Sequence, residues 1–472
     1  MTTVTPYGGI GEIGGNKMLL KDGDTRLFLD FGMSYNQRGK YYEEYLKPRV
    51  GSGLSDLIKT GLLPRPSLPD FKGVYRSDYM QMLGAAKEEP TLRAVLLSHI
   101  HMDHSSYIAF LHEDVPIYAS KESIAIAEAV SVAGQRDFEN EMFNFKERPQ
   151  ESKAEPVQRR WEEIVPGKKF TIDGLEVVGL PVDHSVPGAM MFLIHGSEGS
   201  VLYSGDLRVE GYGKETERSM EALRDEDIDL MFCEGTRVDS TEKRTEDDIR
   251  SEAGAVVAAT KGLVVAGYAF RDVKRMLTFL DVARSSGRKL VLMPKEAYVL
   301  ETLRDRGASV PDPRTDPGIE VLIERKKSGS YDESDYNKWE RQFLGYRNAV
   351  RSVDLPLGAR DRIVHAGFFD MTTMLDFDMP SGSAYIHSLT EAHNEDMEID
   401  DKRLNNWLKL LHLPRTNTHT SGHACRQELL RLISAADPGS LAPMHTTHPG
   451  HFSKLHGQVK RPKTGKPLTV LE

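Results

Sequence analysis

The fold class predicted by this sequence is α/β, with a layered core joined to a second domain of βαβ units. Three observations lead there. The chain has 472 residues, more than one hydrophobic core ordinarily serves. Through the first half, short β-type runs alternate with longer amphipathic stretches. From about residue 236 the pattern settles into helix, strand, helix, strand, the rhythm of a parallel sheet.

Taken in order, Leu27-Phe28-Leu29-Asp30 reads as a strand, followed by strands at 94–97 and 115–119. Residues 36–90 form a long insertion bearing Tyr and Pro, a candidate flap. Residues 170–180, FTIDGLEVVGL, predict a hairpin around Asp173-Gly174, with further strands at 189–195 and 200–204. Helical periodicity occupies 121–132 and 246–261. A strand at 263–267, a helix at 272–286 and a strand at 289–293 follow. The polar, aromatic stretch 328–351 predicts an exposed helical excursion. A helix at 426–436 and a strand at 440–443 come last. The domains are therefore expected at 1–235, 236–384 and 385–472, with the third part completing the first.

Composition narrows the class. With 39% hydrophobic and 28% charged residues, the chain has the balance of a soluble globular protein. No apolar run approaches the roughly 20 residues that span a bilayer, so no membrane partner is expected. The opening MTTVTPYGGIGEIGG lacks the basic and apolar regions of a secretion signal. Cys233 and Cys425 alone make no disulfide framework, which suits a reducing cytoplasm. A net charge of −10 gives no overall basic footprint, so a nucleic-acid partner needs local contacts and metal ions.

The chemistry concentrates in SHIHMDHSS, residues 98–106. His99 and His101 lie two apart, so an extended segment points both the same way. Asp103 and His104 come after the chain turns into a helix and can reach a second metal nearby. Imidazole with carboxylate suits zinc, and manganese or iron less well. His184 in PVDHSVPG and Asp206 in YSGDLR add two ligand types at strand ends, where open α/β sheets place their sites.

The order Asp30, HIHMDH, His184, Asp206 resembles the metallo-β-lactamase superfamily, whose fold is an αββα sandwich holding one or two metals. That resemblance implies one ion on His99, His101, His184 and Asp206. It implies a second on Asp103, His104 and the shared Asp206, with Asp30 orienting a ligand histidine. Three later stretches, CEGT with Glu234, HTSGHA with His419, Ser421, Gly422 and His423, and APMHTTHPGHF, are similar to the marks of the β-CASP nucleases. The greatest likeness is to ribonuclease J and its archaeal relatives, in which a β-CASP domain is inserted into the sandwich. By that likeness His445 completes the second metal, chosen over His448 and His451 because it directly follows the strand. The chain departs there, carrying Thr446-Thr447 where ribonuclease J usually has Gly-Glu.

The residues support these roles on physical grounds as well. Ser421 with the amides of Gly422 and His423 is expected to open the helix at 426–436 and hold a phosphate. His423 could donate a proton or hydrogen bond, and Asp103 could position a water. In the loop 267–272, Arg271 could grip phosphate while Phe270 stacks on a base. The resemblance further leads to the expectation of a minimal two-domain enzyme, without the extra C-terminal domain of bacterial ribonuclease J. The implied function is a cytoplasmic, two-metal ribonuclease acting on single-stranded RNA, with Asp103, His423 and Glu234 catalytic. DNA as substrate and assembly into a homo-oligomer are left open. The rivals are a lactonase or thioesterase of the same fold and a non-catalytic RNA-processing scaffold.

Overall fold

The computed structural model describes residues 1–43, 45–134, 138–149, 155–209, 211, 213–390 and 395–471. It divides into two compact units. The first comprises 1–131, 135–243 and 422–472, and the second 244–421 with 132–134.

The first unit is built on two mixed sheets. One has seven strands, running in space from Leu468–Thr469 through Thr2–Gly8, Lys17–Asp22, Thr25–Leu29, Ala94–Leu96 and Ile117–Ala119 to Trp161–Glu163. The other has six, from Ser440–Pro443 through Leu230–Cys233, Gly199–Tyr203, Met190–Gly196 and Leu175–Pro181 to Lys169–Ile172. Period-two alternation decides which side chains meet between the sheets. Leu27, Leu29 and Leu96 of one sheet share a core with Phe192, Val201, Tyr203 and Phe232 of the other. Phe28 points the opposite way, against Phe31 and Phe71. The outer face of the six-stranded sheet is covered by helix Arg426–Ala436 through Leu429, Leu432 and Ile433. Helix Glu215–Ala222 adds Met220 to the same layer. The result is the αββα sandwich.

The stretch 36–90 is largely a packed part of this unit rather than a flap. Leu54, Leu57, Phe71, Val74, Tyr75 and Tyr79 are buried. The buried Arg76 guanidinium bonds Asp78 and Glu141. Apolar spacing at Leu54 and Leu57, within helix Gly53–Lys59, is the signal that the length of the insertion obscures.

The second unit carries a seven-stranded, all-parallel sheet in the order Ala349–Arg351, Ile319–Ile323, Lys289–Leu292, Arg362–His365, Val264–Gly267, Ala384–His387, Arg415–Asn417. The expected end at residue 384 is corrected here. Strand Ala384–His387 pairs with Val264–Gly267 and in turn with Arg415–Asn417, so residues through 421 belong to this unit. Its start also moves, from 236 to 244. The helical excursion expected at 328–351 is two short 3-10 turns, Glu333–Asp335 and Arg341–Gly345, and an edge strand. Tyr336 and Phe343 draw it into a local aromatic cluster with Trp339 and Tyr346.

Candidate metal centre

In the first unit six of the singled-out residues lie just past the C-terminal end of a strand. Asp30 follows Thr25–Leu29, and His99 follows Ala94–Leu96. His184 follows Leu175–Pro181, and Asp206 follows Gly199–Tyr203. Glu234 follows Leu230–Cys233, and His445 follows Ser440–Pro443. These strands are almost wholly buried, so polar groups are deferred to the first residues beyond them. The chain then turns into helix Met102–Ser105, which carries Asp103 and His104. Gly32 makes that turn fit, because a Cβ there would stand 1.8 Å from the Asp103 carbonyl oxygen.

Three imidazoles converge first. His99 Nε2 lies 3.0 Å from His101 Nδ1, and His184 Nε2 lies 3.1 Å from the same atom. His184 Nδ1 is 2.6 Å from the Gly422 carbonyl oxygen, which can only accept, so the proton sits on Nδ1 and the lone pair on Nε2. Gly422 has to be glycine for this approach, since a Cβ would meet His184 Cε1 at 2.9 Å. Burial, then the neighbouring imidazoles, push His99 and His184 well below the ordinary imidazole range. Both are therefore neutral, the form that binds metal.

The second group is carboxylate-rich. Asp206 Oδ2 is 3.1 Å from His104 Nε2, 3.5 Å from His445 Nε2 and 3.8 Å from His99 Nε2. It thus stands between the two groups. Asp103 Oδ2 is 3.2 Å from His445 Nε2 and 3.8 Å from His104 Nε2. Asp30 turns His104 toward this point, its Oδ2 only 2.6 Å from His104 Nδ1. Burial alone would lower the His104 pKa, but Asp206, Asp30 and Asp103 hold it well above the ordinary range. Three carboxylates around one imidazole call for a cation, of which a proton is the smallest. Burial alone would raise Asp103 and Asp206, yet His104 and His445 hold both below the ordinary carboxylate range.

These donors fit metal ions. His99, His101 and His184 form one group, and Asp103, His104, Asp206 and His445 another, each with its ligand atoms within 4.8 Å of one another. His104 Nε2 and Asp206 Oδ1 are buried and make no hydrogen bond among the described residues. His99 Nε2 and His184 Nε2 both face His101 Nδ1, which carries at most one proton to share between them, and an ion among the three nitrogens resolves that mismatch.

His423 and Glu234 stand beside this centre. His423 Nδ1 is 3.2 Å from Glu234 Oε2 and 3.9 Å from Asp206 Oδ2. Glu234 is fully buried and is fixed by the Leu207 amide at 3.0 Å and the Thr236 amide at 3.2 Å. Burial would lower the His423 pKa, but Glu234 and Asp206 raise it to about 9. The expected helix start is corrected. Helix Arg426–Ala436 is capped at Cys425, whose amide bonds Glu428 at 2.9 Å, and the Arg426 amide bonds Ser240 at 3.0 Å. Ser421, Gly422 and His423 form the loop before it, and the amides of Gly422 and His423 are not those of the helix terminus.

His419, Ser421, Phe270 and Arg271 belong to the second unit. His419 Nδ1 is 3.3 Å from Arg275 Nη1, and burial with Arg275 lowers its pKa to about 3. Arg271 lies over the Phe270 ring at 5.2 Å, in the loop between strand Val264–Gly267 and helix Val273–Ser285. His448 and His451 are held elsewhere, 3.6 Å from Asp239 and 3.2 Å from Arg426 respectively.

Sequence reading missed the residues that aim the ligands. Ser98 donates to Asp30 at 2.7 Å and lies 3.1 Å from His99 Nδ1. Tyr203 donates to Asp30 at 2.7 Å, and Thr236 Oγ1 is 2.8 Å from His445 Nδ1. Each adjoins a recognised motif, as the first Ser of SHIHMDH, the Tyr of YSGD and the Thr of CEGT, and that adjacency was the available signal.

Residues 69–269 match the profile described as the Beta-lactamase superfamily domain. That match covers less than half of the chain and agrees with the αββα sandwich described above. The similar curated proteins are ribonucleases J. That of Mycolicibacterium smegmatis is 24% identical over 295 residues, 61% of this chain and 43% of its own length. That of Mycobacterium tuberculosis is 22% identical over 463 residues, 94% of this chain and 68% of its own. A crystal structure described as a protein of unknown function from Enterococcus faecalis V583 superposes with a TM-score of 0.71 at 22% identity, covering 99% of both chains. At that identity the likeness speaks for the fold of the whole chain.

Proposed function

We propose that the chain is a two-metal ribonuclease that hydrolyses phosphodiester bonds in single-stranded RNA, working from the 5′ end with a capacity for internal cuts. The observation that carries this reading is Asp206 Oδ2 lying between two donor groups, with His423 and Glu234 alongside. One ion would be held by His99, His101, His184 and Asp206, and the other by Asp103, His104, Asp206 and His445. The mixed imidazole and carboxylate set suits zinc, with manganese next. When bound, such ions lower the pKa of a water and draw charge from the phosphoryl oxygens.

The chain's own residues do the rest. Asp103 orients the attacking water, and Asp30, Ser98 and Tyr203 keep His104 fixed while the substrate arrives. Glu234 holds His423 so that it donates to a phosphoryl or leaving oxygen. Arg271 grips a phosphate bidentately, Phe270 stacks on a base, and the loop at His419, Ser421 and Gly422 adds donors at the 5′ end. The two unpaired cysteines agree with a cytoplasmic enzyme.

The test compares 5′-monophosphate, 5′-triphosphate and circular forms of one RNA with metal added. Mononucleotides released from the monophosphate form alone support the reading. Equal cutting of the circle would convert it to an endonuclease, and faster turnover of a lactone or thioester would replace it with a small-molecule hydrolase.

A further inference from the structure

The chain is acidic overall, with 71 Asp and Glu against 61 Lys and Arg. Yet residues 438–471 contain neither Asp nor Glu, while Lys454, Lys460, Arg461, Lys463 and Lys466 all fall within them. Acids make up about one residue in seven of the chain, so a clear run of this length stands out against its own composition.

The backbone of this stretch is clamped at both ends to strands that lead into the metal centre. Leu441 donates to Gln458 at 2.9 Å, and Lys460 donates to Leu441 at 2.9 Å, so the chain runs parallel beside strand Ser440–Pro443. That strand ends two residues before His445. Past a turn, Gly465 donates to Pro6 at 2.7 Å, and Leu468–Thr469 then pairs antiparallel with Thr2–Gly8. Gly9, just beyond that strand, accepts the His445 amide at 2.7 Å. With a rise of about 3.3 Å per residue, the Leu441 clamp lies about 13 Å along its strand from His445, and the Pro6 clamp about 10 Å from Gly9. The turn between them carries Arg461, Lys463 and Lys466, all exposed, while Pro462 is buried and anchors it. None of these three cations meets a carboxylate among the described residues. A charge run is ordinarily a solvated face with its own counter-ions. This one is clamped at both ends, meets no carboxylate among the described residues and lies at the metal-facing end of the sandwich.

We infer that the turn 461–466 is a phosphate-binding rim that holds the backbone of single-stranded RNA outside the metal centre. The inference rests on the proposed ribonuclease reading for its partner and extends it to a surface of the first unit that holds none of the metal ligands. Lys and Arg that neutralise phosphates release condensed counterions, at about 0.7 in the slope of log affinity against log salt for each contact on a single strand. Such contacts read no sequence, so the rim should act on any RNA long enough to reach it.

The test is the triple variant Arg461→Gln, Lys463→Gln, Lys466→Gln in the full, metal-loaded chain, with unchanged thermal melting as the folding control. For a long RNA, KM should rise on the order of 10-fold at moderate salt, and the salt slope should fall by about 2. Turnover of a trinucleotide should stay as in the wild type. Binding of a phosphorothioate RNA, read by fluorescence anisotropy, should weaken in the same proportion. If the wild type binds RNA through these residues but cleaves none, the rim stands and the ribonuclease reading falls. If it cleaves RNA and the variant's KM and salt slope match the wild type, the rim falls and the ribonuclease reading stands. Unchanged RNA binding with loss of binding to anionic phosphatidylserine vesicles would overturn the rim in favour of a lipid surface.

Discussion

Each unit buries a cluster of charged and imidazole side chains near strand ends, and the two clusters are built on opposite principles. In the second unit Arg275 is fully buried, and its guanidinium donates to Glu246 at 2.9 and 3.1 Å, to Ser388 Oγ at 2.6 Å and to the Thr420 carbonyl at 3.1 Å. Thr278 adds a donor to Glu246 at 2.9 Å. Donor meets acceptor at each of these contacts, and the polar atom left over beside them, His419 Nε2, stands alone rather than facing other unmatched groups. In the first unit, imidazole nitrogens face one another at 3.0 and 3.1 Å, and Asp206 Oδ1 and His104 Nε2 are left without a hydrogen bond. Burial and polarity are common to both. Only unmatched convergence marks a place where something else is meant to bind.

The contrast breaks most visibly at its centre. Asp206→Ala should abolish RNA cleavage and lower the metal content, read by elemental analysis, from about two ions per chain to one or none. Wild-type metal content in that variant would mean that the carboxylate is not shared. His423→Ala should leave the metals in place and lower kcat by roughly 100-fold, the scale of a lost proton donor. Equal loss of metal and activity would instead make His423 a ligand.

Asp30→Asn keeps the shape but weakens the acceptor that aims His104. It should lower metal affinity by about 10- to 100-fold, measured by competition with a chelator. The closed network should answer differently. Arg275→Met leaves Glu246 buried without its partner and should destabilise the second unit by about 3–5 kcal/mol in chemical denaturation, with metal content unchanged. Loss of metal on that substitution would show that the two clusters are not independent.

What was legible in the sequence was local. Helix Arg426–Ala436 and strand Ser440–Pro443 match their apolar spacing residue for residue, because periodicity over a few turns already decides them. The convergence of His99, His184, Asp206 and His445 was legible for a similar reason, each being a polar residue shortly after an apolar strand, while Asp103 and His104 sit on the short helix that follows His101. The misreadings were of long-range facts. The end of the second unit was misplaced because Ala384–His387 finds its neighbours by pairing with distant strands, which no local pattern displays. Helix Glu395–Leu410 escaped notice because its apolar stripe is narrow, carried by Leu404, Trp407 and Leu408 amid charges. Ser421 looked like a helix cap by residue type, whereas the cap is Cys425, satisfied by the Glu428 side chain from one turn on.

The smallest expected effect probes whether the second unit matches all its buried charge. Glu301, in helix Pro294–Asp305, is 5% exposed, and its Oε1 finds no hydrogen bond among the described residues. Burial, helped by Asp305 and Asp312 and opposed by Arg314, raises its pKa from the ordinary 4.5 to about 7. Between those two values the folded chain keeps a proton that the unfolded chain has released. Stability therefore falls as pH rises through this window, and the cost is complete above it. Glu301→Gln removes the titration, so the variant and wild type should melt together near the bottom of the window and separate above its top, with the variant the more stable. Each kcal/mol is worth about 2–4 °C in a domain of this size, so thermal melts across the pH series can read the gap. Parallel melting curves at every pH would mean that water or Arg314 already satisfies the carboxylate. Glu301 would then join the matched buried charge of the second unit, and the contrast with the unmatched convergence around Asp206 would be sharper.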